Sequence, residues 1–253
     1  MRRRFRNYVL SKTKKNFVDL DGQRMHVDPS EYLKLVIADY RGLHTKYLKQ
    51  NIKPGDVVID VGANIGYFTC LLSKLVGKSG HVYSFEPELN NFKMLKMNVE
   101  ENNCSNVTIE QKAVSDKSGI VKLNMSESST AHSIYEKFDD GRTIDVETIS
   151  FDDYFGKKTI DYIKSNAQGA DYPMFLGMPN LLEYSKKLSV WLEFDPFLIR
   201  EQGSTPEIFL EFLKNNNFEV KVVRDYFKKP KKIDNILEYV KKHNGCSLLC
   251  TRS

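Results

Sequence analysis

No apolar stretch in these 253 residues approaches the ~18 that a membrane-crossing helix needs, and the basic N-terminus lacks the hydrophobic block of a secretory signal. Neither a transmembrane segment nor a leader is therefore expected, and a cytoplasmic location is. Cysteine is scarce: Cys70, Cys104, Cys246 and Cys250 have no paired metal-ligand spacing, so no metal centre is expected. Cys246 and Cys250 fall on one face of a strand-like run, as reduced, buried thiols would. Acid is missing from residues 1–16, which carry seven basic residues and leave 31 basic against 33 acidic in the remainder. A basic arm thus precedes a nearly neutral body, and a second basic run follows at 228–232. Such an arm suits an anionic surface. Nucleic acid is the lesser expectation, because no aromatic stacking pattern accompanies it. Nothing in the chain reports the oligomeric state. What is plentiful is core material, 41% hydrophobic with 15 Phe and 13 Tyr, enough for one large α/β interior.

The stretch Val57 to Gly66, V-V-I-D-V-G-A-N-I-G, organises the rest. Its apolar run follows the turn Lys53-Pro54-Gly55-Asp56, shows no helical period and reads as a buried parallel strand. Glycines at 62 and 66 with Asn64 between them mark a sharp turn. Beyond it Ile65, Phe68, Thr69, Leu72, Leu75 and Val76 share one helical face. Strand, glycine turn and helix form the first half of a nucleotide-binding unit, where glycine lets a ligand approach the main chain and the helix start favours an anionic group. The spacing is not the G-x-G-x-x-G that seats a pyrophosphate, which disfavours a nicotinamide-dependent oxidoreductase. Asp60 is expected to brace the glycine loop through backbone amides or to take a cationic ligand amine. Twenty residues past Gly66, a second strand-like run from His81 ends in Glu86-Pro87, where an acid is the usual partner of ribose hydroxyls.

Upstream, Phe17–Val27 reads as a hairpin with an Asp21-Gly22 turn, and His44–Gln50 as helical. Residues 1–50 are taken as a basic arm with a hairpin and helix cap, and 51–253 as the main domain. Downstream, Leu89, Phe92, Leu95 and Val99 recur at helical spacing. Strands are expected at 107–109, 120–124, 143–149, 160–165, 188–194, 218–222 and 247–251, and a helix capped by Thr205 with Pro206 in its first turn. The polar segment from Ser126 to Arg142 lies where substrate contacts tend to occur. Strands alternating with helices imply a doubly wound, mostly parallel sheet.

These residues carry a family likeness. The turn at 53–56 with D-V-G-A-N-I-G-Y-F-T at 60–69 resembles class I S-adenosylmethionine-dependent methyltransferases, and more narrowly the FkbM family. The likeness continues through F-E-P at 85–87, A-V-S-D at 113–116, D-Y-I-K at 161–164, Q-G-A-D at 168–171 and L-E-F-D-P at 192–196, and covers roughly residues 17 to 252. It implies a Rossmann-like, seven-stranded, doubly wound sheet with the last strand antiparallel, S-adenosyl-L-methionine as cofactor, and O-methylation of a hydroxyl on a sugar, glycan or small metabolite. Asp60, Gly62, Asn64 and Gly66 would then hold the methionine moiety, with Tyr67 and Phe68 at the helix start. Glu86, followed by Pro87, would take the ribose, Ala113 and Val114 would line the adenine, and Ser133 would lie near the cofactor. The family pattern after the fourth strand resembles I-K-I-D-x-E-G-A-E, whereas this chain places amides at Asn166 and Gln168, facing the transferred methyl. An amide keeps the size of an acid but is no general base. Remaining candidates for polar or basic roles in catalysis beside these two are His132, Glu193 and Asp195. A cofactor-binding homologue without catalysis is the alternative reading.

Overall fold

The computed structural model describes residues 16–27, 42–126, 132–135, 141–224 and 229–252. The basic arm, most of the segment from Ser126 to Arg142 and Lys228 of the second basic run lie outside the described residues.

The chain opens with a hairpin, β1 (Phe17–Leu20) and β2 (Gln23–His26), turning on Asp21 and Gly22, and a helix, α1 (Leu43–Asn51). The alternation then begins with β3 (Val57–Val61), α2 (Tyr67–Val76), β4 (His81–Phe85), α3 (Leu89–Glu101) and β5 (Val107–Glu110). Next come β6 (Ala113–Val114), β7 (Gly119–Asn124), β8 (Thr143–Ile149), α4 (Phe151–Phe155), β9 (Tyr162–Ser165), α5 (Asp171–Leu176) and α6 (Pro179–Tyr184). The chain closes with β10 (Ser189–Phe194), α7 (Pro196–Glu201), α8 (Pro206–Asn215), β11 (Glu219–Val223), α9 (Ile236–His243) and β12 (Cys246–Thr251).

Seven strands make one sheet in the order β11-β12-β10-β9-β3-β4-β5. Pairing is parallel from β10 across to β5, and β12 runs antiparallel to both β10 and β11. After β5 the chain crosses back to β9, on the far side of β3, so the connections onward from β3 and β9 run in opposite directions from a topological switch point. That is where open α/β sheets bind their ligands. A second sheet, β6-β8-β7, sits beyond β5 in sequence and walls one side of this crevice.

Both faces of the large sheet are covered, and the strands alternate between two cores. Ile59, Ile163, Leu192 and Leu248 point to one; Val58, Tyr162, Trp191 and Leu249 point to the other. The second core also contains Met25 of β2, Val27 just after the hairpin and Leu43 and Leu48 of α1, which places the described part of the N-terminal segment against α2. All four cysteines are buried and free.

One expectation is corrected. The buried face of α3 is Asn91, Leu95 and Asn98, while Leu89 is 44% exposed. Asn98 donates to the carbonyls of His26 (3.1 Å) and Ile65 (2.7 Å) and accepts from the His26 amide. Hydrogen bonds, rather than an apolar stripe, thus join α3 to the hairpin and to the glycine turn. Thr205 caps α8 by accepting from the Ile208 amide, with Pro206 in the first turn. Helices α4 to α7 are too short to show a period in sequence.

Candidate active site

The turn after β3 contains three backbone positions in left-handed conformation, Gly62 (φ 65°), Asn64 (φ 51°) and Gly66 (φ 91°). A Cβ on Gly62 would stand 2.1 Å from the Asn166 carbonyl oxygen, so this glycine is what lets the loops leaving β3 and β9 touch. Gly66 caps α2, and a Cβ there would meet Leu95 Cδ1 at 2.6 Å. The turn is pinned from β4. The amides of Gly62 and Ala63 donate to the Phe85 carbonyl, and the Asn64 amide donates to Glu86 Oε2 at 2.8 Å.

Glu86 therefore does the bracing expected of Asp60. Asp60 is fully buried behind the cleft, accepting from Thr69 Oγ1 at 2.7 Å and ion-paired to Lys164 Nζ at 2.9 Å. It makes no backbone brace and does not line the cleft. Lys164 also donates to the carbonyls of Val61 (3.3 Å) and Gly62 (3.0 Å) and lies 5.3 Å over the Phe68 ring. Sequence reading missed this lysine. The signal was available: β3 and β9 are buried strands, each with one central charge of opposite sign, and such charges must pair.

The cleft holds about 950 Å³ of space open to solvent. Its lining is polar at Gly62, Asn64, Glu86, Asn91, Lys164, Asn166 and Gln168 and largely apolar at Tyr67, Phe68, Phe85, Pro87, Ala113, Val114, Leu123 and Ile134. Lys164 bonds the Gly62 carbonyl, Gly62 abuts Asn166 and Gln168 bonds Asn166, while Ala113, Leu123 and Ile134 share one apolar cluster. Glu86 also accepts from the Glu88 amide at 3.0 Å, and burial pushes its carboxyl up to about 7 against the pull of these amides. His132 lines the same cleft; its Nδ1 accepts from the Ser126 amide and burial lowers its pKa, so the ring is neutral.

Two further residues stand off the cleft wall. Ser133 is buried and donates to the Gln168 carbonyl at 2.8 Å. Glu193 sits behind Gln168, whose Nε2 donates both to Asn166 Oδ1 (3.0 Å) and to Glu193 Oε2 (3.3 Å). Burial raises the Glu193 carboxyl and Asp195 adds to this, while burial pushes neighbouring Asp171 up to about 7.

A family model described as the Methyltransferase FkbM domain matches residues 60–243. The chain is 36% identical over 95 residues to the 31-O-demethyl-FK506 methyltransferase FkbM of Streptomyces tacrolimicus, a match covering 36% of each chain. It is 42% identical over 57 residues to the protein-L-isoaspartate O-methyltransferase of Methanosarcina mazei, covering 22% of this chain and 23% of that one. The matches thus span little more than a third of these relatives at most. Among solved structures, a Klebsiella pneumoniae protein provisionally described as an O-methyltransferase superposes with TM-score 0.52 at 11% identity, covering 97% of this chain and 94% of that one. The precorrin-6y C5,15-methyltransferase of Geobacter metallireducens GS-15 gives TM-score 0.50 at 13% identity, with 93% and 97% covered. At such identities the likeness is one of fold.

Proposed function

The chain belongs to the FkbM family of S-adenosylmethionine-dependent methyltransferases, and from that premise we propose that it methylates a hydroxyl group on a sugar, glycan or small metabolite. The observation that carries this reading is the cleft's three-part chemistry. The polar group of Gly62, Lys164, Asn166 and Gln168 suits an amino-acid tail, the buried acid Glu86 suits a ribose, and the apolar cluster of Ala113, Leu123 and Ile134 suits a flat base. The glycine cradle and the carboxylate fit the cofactor. Gly62 and Asn64 would bound the methionine part with Phe68, Glu86 the ribose, and Ala113 with Val114 the adenine. Although both Glu86 oxygens already accept an amide, a carboxylate has about four acceptor sites and keeps room for hydroxyls. Gly66 serves the packing of α2 on Leu95, and Ser133 positions Gln168.

When bound, S-adenosylmethionine supplies a methyl group on a cationic sulfur. The chain's own part is to align the acceptor hydroxyl, exclude water and receive its proton. Neither Asn166 nor Gln168 can hold that proton. Glu193, hydrogen-bonded to Gln168 and with its carboxyl raised by burial, is the carboxylate to which we assign the proton, taken directly from the acceptor hydroxyl. His132 faces the cofactor side as a neutral wall. Alignment supplies about 7–11 kcal/mol in such reactions and a base about 10²–10⁴-fold, so Glu193→Gln should slow turnover by about 10²-fold while sparing affinity for S-adenosylhomocysteine.

The reading is tested by calorimetric titration with S-adenosylhomocysteine. Affinity should rise as pH goes from 6 to 8, because Glu86 must be ionised to accept hydroxyls from the ribose, and Glu86→Gln should weaken binding and flatten that rise. Wild-type protein that fails to bind the compound would overturn the proposal. The family assignment leaves the nicotinamide-dependent and non-catalytic alternatives without support.

A further inference from the structure

A second pocket opens along the same sheet edge as the cleft, at the C-terminal ends of β10 and β11 and the start of β12. It holds about 730 Å³ of space open to solvent, and its polar walls are His44, Glu193, Asp195, Arg224, Asn244 and Ser247. No step of the proposal above uses its far side. Two contacts join it to the cleft. Glu193, in the pocket, accepts from Gln168, in the cleft; His44, in the pocket, lies 4.9 Å from the ring of Phe68, in the cleft.

The chemistry of the walls is selective. His44 is held rigidly, stacked on Trp191 at 3.9 Å with an 8° interplanar angle, with its Nε2 3.2 Å from the Tyr162 hydroxyl. Burial, reinforced by Lys164, lowers its pKa well below the usual histidine value, so it presents an uncharged ring. Arg224 is turned to the main chain, donating from Nη2 to the carbonyls of His243 (3.1 Å) and Gly245. Asp195 Oδ1 accepts from the amides of Phe197 and Leu198, capping α7. Two carboxylates therefore face the pocket against one arginine, whose Nη2 is held by main-chain carbonyls and whose Nε has no partner among the described residues. The walls thus carry one acid more than base, which disfavours an anion, while carboxylates, an arginine N–H, an amide and a hydroxyl pair well with hydroxyl groups.

We propose that this second pocket is the acceptor site, and that it takes a hydroxyl-rich ring bearing no anionic group, a neutral or amino sugar, with Glu193 at the boundary where the reacting hydroxyl meets the cleft. This rests on the methyltransferase reading and adds the acceptor's position and charge class.

The test titrates the full chain, with and without S-adenosylhomocysteine, against methyl glycosides of common hexoses and deoxyhexoses, glucosamine, glucose 6-phosphate and glucuronate, read by saturation-transfer NMR and calorimetry. At least one uncharged or amino sugar should bind, and the two anionic sugars should bind about tenfold or more weakly. Ser247→Phe, which fills the pocket, should weaken sugar binding about tenfold or more while S-adenosylhomocysteine affinity stays within about twofold. If Ser247→Phe misfolds and loses both ligands, Asn244→Gly decides: Asn244 already sits at φ 50°, so the backbone accepts glycine and only the amide is removed. Sugar binding unmoved by these variants, anions bound as tightly, or no neutral or amino sugar bound each overturns the inference. Failure of S-adenosylhomocysteine to bind overturns the methyltransferase reading instead, and the titration without it still judges the pocket.

Discussion

A lysine inside a parallel sheet has to be neutralised where it stands, and Lys164 is neutralised by the residue opposite it in register, Asp60 on β3. The pair is worth little as a net source of stability, since desolvating two charges offsets most of their attraction. Its consequence is geometric. The ammonium holds the carbonyls of Val61 and Gly62, the last residue of β3 and the first of the turn, so the cleft floor is held from β9 as well as from β4. Breaking such a pair from one side is costly. Lys164→Met should destabilise the fold by about 3–5 kcal/mol, because Asp60 is left charged and fully buried. Combining it with Asp60→Asn should restore much of that loss, since the amide still meets Thr69. Urea unfolding of the two single variants and the double decides the matter. Purely additive losses would mean the two residues act independently.

At the scale of elements, the glycine turn separates two roles that look alike in sequence. Gly62 and Gly66 are both left-handed, but a side chain at Gly62 would strike the backbone oxygen of Asn166, whereas at Gly66 it would strike only the tip of Leu95. Backbone cannot step aside without moving β9, and a leucine methyl can. Gly62→Ala should therefore abolish S-adenosylhomocysteine binding along with much of the stability. Gly66→Ala should cost about 1–3 kcal/mol for the left-handed backbone, with ligand affinity little changed. Thermal melts with and without ligand distinguish the two; equal effects on binding would count against this division. The turn itself was readable from Val57 to Gly66 because strand, glycine spacing and helix period are local signals. The asparagines of α3 were not readable as a buried face. An amide at a helical position looks solvent-facing until its partners, His26 and Ile65, are brought to it by the fold.

At the scale of the whole molecule, local signals also set the alternation of strands and helices, and hence the mostly parallel sheet, while its antiparallel last strand was implied by the family resemblance. The pocket beside the cleft was illegible for the opposite reason. His44, Glu193, Arg224, Asn244 and Ser247 come from α1, β10, the ends of β11 and α9, and β12, and only the sheet order sets them side by side. The same assembly buries two carboxyls at the C-terminal edge of the sheet, and this gives the molecule a pH dependence. Burial is the largest cause for both Glu86 and Asp171, and each is pushed up to about 7. Between the ordinary carboxylate range and that value the folded chain holds protons that the unfolded chain has released. Stability from these two groups is thus fully present below about pH 4 and is lost as pH rises through about 7. His44, His81 and His132, whose values burial lowers, act in the opposite sense below about pH 7, so the urea midpoint should fall from about pH 7 to about 8. Asp171→Asn should flatten part of that fall, since an amide in its place has no proton to lose. A midpoint that rises over the interval, or an unchanged slope in the variant, would mean that these carboxyls are ionised throughout. The cofactor acts in the opposite direction: because it binds the ionised form of Glu86, adding S-adenosylhomocysteine should stabilise the fold most at the alkaline end, where the unliganded chain is weakest.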